Sequence, residues 1–220
     1  MDIFDIIGPV MVGPSSSHTA GAVRIGYIAR KLLGEEIKKA EILLYGSFLL
    51  TGKGHGTDKS IVAGLMLMEP DDTRIPSSLE IAEKNGIEVV FGKTDLKDAH
   101  PNTAQIILTS VSGKTLDVVA SSLVGGRIKV NRIDGIEANF CGDYPTLVVR
   151  NQDTPGCMAK ITSLLSTCGI NIATIQLYRS SRGGEAVAVF ECDHEIDSEH
   201  IRWLEQQEDI IKVTYLSLDE

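Results

Sequence analysis

The chain has 220 residues, of which 43% are hydrophobic and 23% charged, and its formal charge is −9. That size allows one large domain or two small ones, and the acidic excess argues against a nucleic-acid binder, which needs a basic face to meet phosphates. No run approaches the ~18 to 20 apolar residues of a membrane span. The opening MDIFDIIGPVMVG carries two aspartates and no basic stretch, so it does not read as a secretory signal, and the cytoplasm is the expected location.

Residues 1 to 142 mix helix and strand and predict an α+β domain. Ala20 to Leu33 sets Ala22, Ile25, Ile28, Ala29, Leu32 and Leu33 at helical spacing, with Gly34 as a C-cap. Ala40 to Phe48 reads as a strand, Lys59 to Met68 as a mostly buried helix stopped by Pro70, and Ser77 to Asn85 as another helix leading into a strand at Ile87 to Phe91. Four further strands are expected at Thr103–Val111, Lys114–Ser121, Arg127–Arg132 and Ile136–Phe140. Ser112-Gly113, Gly125-Gly126 and Asp134-Gly135 are the hairpin signals between them.

After a linker at CGDYP, residues 146 to 220 predict a second domain: strand, helix to Cys168 ended by Gly169, two strands, a helix at Asp197 to Gln207 and a last strand at Ile210 to Leu218. This βαββαβ order is the ferredoxin-like unit. Cys141, Cys157, Cys168 and Cys192 show no CxxC pair. Zinc sites usually pair their ligands at close spacing, so these read as ordinary buried or half-buried thiols of a reducing compartment. No metal site is expected in this chain.

Three stretches could carry chemistry. YGSFLLTGKGHGTDKS (residues 45 to 60) suggests a phosphate loop, but five residues separate Gly46 from Gly52, Gly54 follows Lys53, and the hydroxyl that would hold magnesium is missing. The glycines instead predict a turn that brings His55 close to something small, with Thr57 or Asp58 capping the next helix. GPSSSHTAG (Gly13 to Gly21) puts three serines before a helix. One is the N-cap; the other two and His18 fit either a plain helix start or an anion site favoured by the macrodipole. No GxSxG elbow or acidic third member supports a Ser–His hydrolase. Two helix starts, each with a histidine and hydroxyls, would converge on one polar ligand and allow proton transfer near neutral pH. The third stretch, Asp153-Thr154-Pro155-Gly156, is explained by Thr154 as a cap and Pro155 as the first helical residue.

Together, GPSSSHT, GSFLLTGKGHGTDKS and GGRIKVNRIDG resemble the β subunit of iron–sulfur-dependent L-serine dehydratase, and the C-terminal part resembles an ACT domain. The resemblance covers the whole chain. It implies an enzyme subunit that helps convert L-serine to pyruvate and ammonia, with a [4Fe–4S] cluster ligated by a partner α subunit. It also implies that Ser15, Ser16, Ser17, Thr57 and Asp58 hold substrate and that His18 and His55 are catalytic. Asp153, Thr154, Pro155, Gly156, Asn171 and Ile172 match an allosteric amino-acid site, and ACT modules self-associate. The alternative is a non-catalytic amino-acid-sensing regulator. A phosphoglycerate dehydrogenase fragment is disfavoured because no GxGxxG strand–turn–helix occurs.

Overall fold

A computed structural model describes residues 10–216. The first nine residues, and with them most of the stretch tested as a secretory signal, lie outside the described residues, as do Ser217 and Leu218 of the last expected strand. Among the described residues no helix is long and apolar enough to cross a membrane. The architecture is α+β and falls into two compact units, Met1–Asp134 and Gly135–Glu220.

In the first unit a π-helical turn at Ser16–Ala20 runs into α1 (Gly21–Leu33), followed by β1 (Ile37–Leu44), α2 (Gly46–His55), α3 (Thr57–Leu65), α4 (Ser78–Lys84), β2 (Glu88–Lys93), β3 (Thr103–Ser110), β4 (Thr115–Ser122) and β5 (Ile128–Ile133). The strands lie in the order β2-β1-β3-β4-β5. β1 and β2 are parallel and the other pairs antiparallel. Period-two alternation turns Ala40, Ile42 and Leu44 of β1 and Ala104, Ile106 and Leu108 of β3 to one buried face. The apolar stripe of α1 is buried as well, through Ile25, Ile28, Ala29, Leu32 and Leu33. α1 and α3 cross in near-backbone contact: a Cβ at Gly64 would fall 1.9 Å from the carbonyl oxygen of Val23, and one at Gly26 would fall 2.1 Å from that of Ile61. Only glycine fits at either place.

Two local expectations are corrected here. The strand predicted to Phe48 ends at Leu44, and the glycine-rich segment after it is helix α2 rather than a turn. Three glycines in ten residues make a poor helix by propensity, each costing about 1 kcal/mol against alanine, yet tertiary contacts override this. Ser47 and Phe48 both donate their N–H groups to the Pro101 carbonyl (2.7 and 3.4 Å), and Phe48 is fully buried. Gly46 makes the approach possible, since it has φ +55° and a Cβ there would lie 2.6 Å from that same oxygen.

The second unit holds β6 (Ile136–Phe140), β7 (Thr146–Gln152), α5 (Cys157–Thr167), β8 (Ile172–Arg179), β9 (Glu185–Cys192), α6 (Ser198–Glu205) and β10 (Ile210–Leu216). The sequence reading drew the division after residue 142, whereas β6 here groups with the second unit. Its Asn139 donates to the Tyr178 hydroxyl (2.9 Å) and accepts from Gln176 (2.7 Å). The order β10-β7-β9-β8 is antiparallel throughout and is the ferredoxin-like arrangement expected of βαββαβ. Leu147, Val149, Ile161, Leu165, Phe190 and Leu204 form its core.

Candidate active site

Helix α2 carries one polar face. Ser47, Thr51 and His55 are spaced at i, i+4 and i+8, so they line up along one side of the helix. His18, in the π-helical turn, meets that side. Its Nε2 lies 3.2 Å from Ser47 Oγ and 3.1 Å from Thr51 Oγ1. The His55 ring stands 4.9 Å from the His18 ring, and Phe48 packs edge-on against His18 at 5.3 Å. His55 Nδ1 is 3.0 Å from the Thr51 carbonyl. Thr57, fully buried at the start of α3, donates its hydroxyl to the His18 carbonyl (3.1 Å) and ties the two histidine-bearing segments together.

The electrostatics follow from this crowding. Partial burial lowers the His18 pKa below its ordinary value, and the neighbouring His55 lowers it further; hydrogen bonding to the Ser47 backbone opposes both. His18 is therefore held neutral around pH 7. The tautomers follow from the acceptors. A carbonyl can only accept, so His55 donates from Nδ1, and its neutral form carries the unshared pair at Nε2. Thr51 donates its hydroxyl proton to the Ser47 carbonyl (2.9 Å), so toward His18 its oxygen accepts, and His18 carries its proton on Nε2.

The three serines divide their tasks. Ser15 is the N-cap, its side chain accepting the His18 N–H at 3.2 Å. Ser17 donates to the Leu123 carbonyl (3.1 Å), binding the turn to the loop that leads into the GGRIKVNRIDG stretch. Ser16 is half-buried beside them, its carbonyl accepting the Gly21 N–H. Asp58 accepts the Lys59 N–H (2.9 Å) and lines a cleft with Lys53 and Leu49. Neither Thr57 nor Asp58 caps α3, contrary to expectation, because Gly56 at φ +71° occupies that position. Ser47 and Thr51 escaped the sequence reading. Their signal was the spacing of four that they share with His55, and it was hidden once the glycines were taken for a turn.

In the second unit the matching loop is closed on itself. Asp153 accepts from the Gly183 N–H (3.0 Å) and from Arg179 (3.2 Å), the first of these contributing most to holding its carboxyl below the usual range. Asn171 donates to Asp193 (2.6 Å). Ile172 begins β8. Thr154 does not cap α5: Gly156, at φ +93°, takes the cap position after Pro155, and the Thr154 hydroxyl turns back to the Gln152 carbonyl (3.4 Å). Burial pushes the thiol of Cys141 up to about 12 and those of Cys157 and Cys192 to about 11, and it raises that of Cys168. Among the described residues no three His, Cys, Asp or Glu side chains are grouped to hold a metal ion.

Comparison with known proteins gives the site its context. The serine dehydratase beta chain family model matches residues 1–85, which span every residue from Ser15 to Asp58, and the ACT domain model matches residues 145–209. The chain is 40% identical over 215 residues to the probable L-serine dehydratase beta chain of Bacillus subtilis (strain 168), covering 98% of this chain and 97% of that protein. It is also 40% identical over 173 residues to the L-serine dehydratase beta chain of Peptoniphilus asaccharolyticus, covering 78% of each. A D-3-phosphoglycerate dehydrogenase of Methanocaldococcus jannaschii matches at 24% over 198 residues, 90% of this chain but 37% of that enzyme. Matches of that identity and coverage to beta chains place this chain in the serine dehydratase beta chain family.

Proposed function

We propose that this chain is the β subunit of a cytoplasmic L-serine dehydratase that, with an α subunit, converts L-serine to pyruvate and ammonia by β-elimination. The observation that carries the reading is the histidine pair: two imidazoles 4.9 Å apart, His18 in the turn before α1 and set against two hydroxyls, His55 at the C-terminal end of α2. Ser15, Ser17 and Thr57 shape the site through their own hydrogen bonds, and of the expected set Ser16 and Asp58 are left to meet the substrate's carboxylate and ammonium. The unshared pair at His55 Nε2 takes the Cα proton. The electrons of that C–H bond form the Cα=Cβ double bond as the hydroxyl leaves Cβ. The aminoacrylate tautomerises to an imine, and water releases ammonia and pyruvate. His18, neutral and donating through Nε2, orients the hydroxyls beside the substrate.

The [4Fe–4S] cluster implied by the resemblance does not fit this chain. All four cysteines lie between residues 141 and 192, outside the histidine-bearing unit, and among the described residues they are not grouped to hold a metal. The cluster belongs on the α subunit. In this reading residues 1–142 serve catalysis and residues 146–220 pair with a second copy or sense an amino acid through Asp153–Gly156, Asn171 and Ile172.

The test is to isolate the tagged chain from its host without oxygen and assay the eluate for pyruvate made from L-serine. A co-purifying α subunit, with activity that vanishes when it is stripped away or when His55 becomes Ala, is the expected result. A chain that comes down alone, makes no pyruvate and still binds serine would overturn the reading.

A further inference from the structure

We propose that His100 is a positioning residue for the histidine pair: its imidazole folds the turn His100-Pro101-Asn102, and that turn caps α2. Its role in turnover rests on the dehydratase reading above. Helix α2 starts without a cap of its own. Tyr45 stands at the N-cap and makes no side-chain hydrogen bond to the helix, while a helix start leaves its first N–H groups without partners. The partner comes from the entry to β3. The Pro101 carbonyl accepts the Ser47 N–H at 2.7 Å and the Phe48 N–H at 3.4 Å.

That carbonyl is aimed by its two neighbours. His100 Nδ1 accepts the Asn102 N–H at 3.2 Å. The ring thus reaches the backbone two residues on, as an aspartate or asparagine oxygen does in an Asx turn. A backbone N–H only donates, which puts the ring's proton on Nε2. The turn is pinned on both sides: Thr103 Oγ1 donates to the His100 carbonyl (2.6 Å), and the Asn102 carbonyl accepts the Ser122 N–H (2.8 Å). Without an acceptor at position 100 the Asn102 N–H loses its partner and Pro101 its orientation. The effect reaches the site in one step. Ser47, whose N–H the Pro101 carbonyl holds, places its Oγ 3.2 Å from His18 Nε2, and Thr51 and His55 follow on the same side of α2. His100 is itself exposed, so replacing it opens no cavity in the core.

The experiment follows the histidine rings of the full-length chain by proton NMR as pH is varied, with His18→Gln identifying the His18 resonance. Pyruvate formation is measured after assembly with the α subunit. The variants are His100→Ala, His100→Phe and His100→Asn. Burial and the neighbouring His55 hold the His18 ring below its ordinary pKa. In His100→Ala and His100→Phe, which lack the acceptor, the His18 midpoint should move up toward the ordinary value. In the same two variants kcat should fall about five- to tenfold with KM nearly unchanged, the size of one net hydrogen bond. His100→Asn keeps an acceptor the same number of bonds from the backbone and should restore both. A merely structural role would lower the folded fraction without moving the His18 midpoint. An unmoved His18 midpoint in His100→Ala and His100→Phe, or a His100→Asn chain that behaves as they do, would overturn the assignment. A moved midpoint in a chain whose wild type makes no pyruvate with the α subunit would uphold the positioning of His18 and sink the dehydratase reading.

Discussion

The two units solve the same local problem in opposite ways. Each has a glycine-rich helix start with hydroxyls and an acidic residue that make internal hydrogen bonds, but only the first sets a pair of imidazoles beside them. In the second, Asp153 is held by Arg179 and the Gly183 N–H, and Asn171 by Asp193. In the first, His18 meets two hydroxyls and His55 keeps an unshared pair at Nε2. A motif that spends its hydrogen bonds internally makes a stable turn, whereas one that leaves an electron pair unspent can act on a substrate.

The sharpest way to break this contrast is to remove an imidazole. His55→Ala in the assembled enzyme should lower turnover by about 10²- to 10⁴-fold, the usual contribution of a positioned base, with an unchanged far-ultraviolet circular dichroism spectrum. Asp153→Asn, measured in the same assay, should leave turnover intact; a loss comparable to that of His55→Ala would dissolve the distinction between the units. A structural variant sets the scale for damage that comes from packing instead. Gly64→Ala forces a methyl toward the Val23 carbonyl and should destabilise the first unit by about 1 to 3 kcal/mol, read as a shift in urea midpoint. Thr51→Val removes one hydroxyl beside His18 and should cost roughly 1 kcal/mol or somewhat more, about a five- to tenfold loss of turnover.

The smallest effect is on pH dependence. Because His18 has a folded-state pKa below its unfolded value, the unfolded chain binds more protons in the window just below 6.5. Its contribution to stability is therefore fully present above that window and declines as pH falls through it. Urea midpoints between pH 7.5 and 5.5 should fall less for His18→Gln than for wild type. An identical decline in both would remove His18 as the cause.

Most of the fold was legible because its signals are short-range. The α1 stripe ends at Gly34, which closes the helix at φ +71°, and the β3–β4 turn contains Gly113 at φ +93°, as the dipeptide Ser112-Gly113 suggests. The βαββαβ order also follows from chain-local periods of 2 and 3.6. The candidate site was half legible. His18 and His55 stood out by chemistry, and Ser15 as a cap by position. Ser47 and Thr51 did not, because the helix that carries them contradicts its own propensities.

The sequence by itself determined the family, the order of the elements in the two units, and the residue types that could move a proton. These are written in motifs and in periodicity along the chain. Only the tertiary structure decided that residues 46–55 are helical, since the Pro101 carbonyl that receives two of their N–H groups lies more than fifty residues away. The same long-range contact sets Ser47, Thr51 and His55 on one face. The spacing of four is local, but it takes effect only once the helix forms, and the free energy that overrides three helix-weakening glycines comes from burying Phe48 and from hydrogen bonds to a distant strand entry.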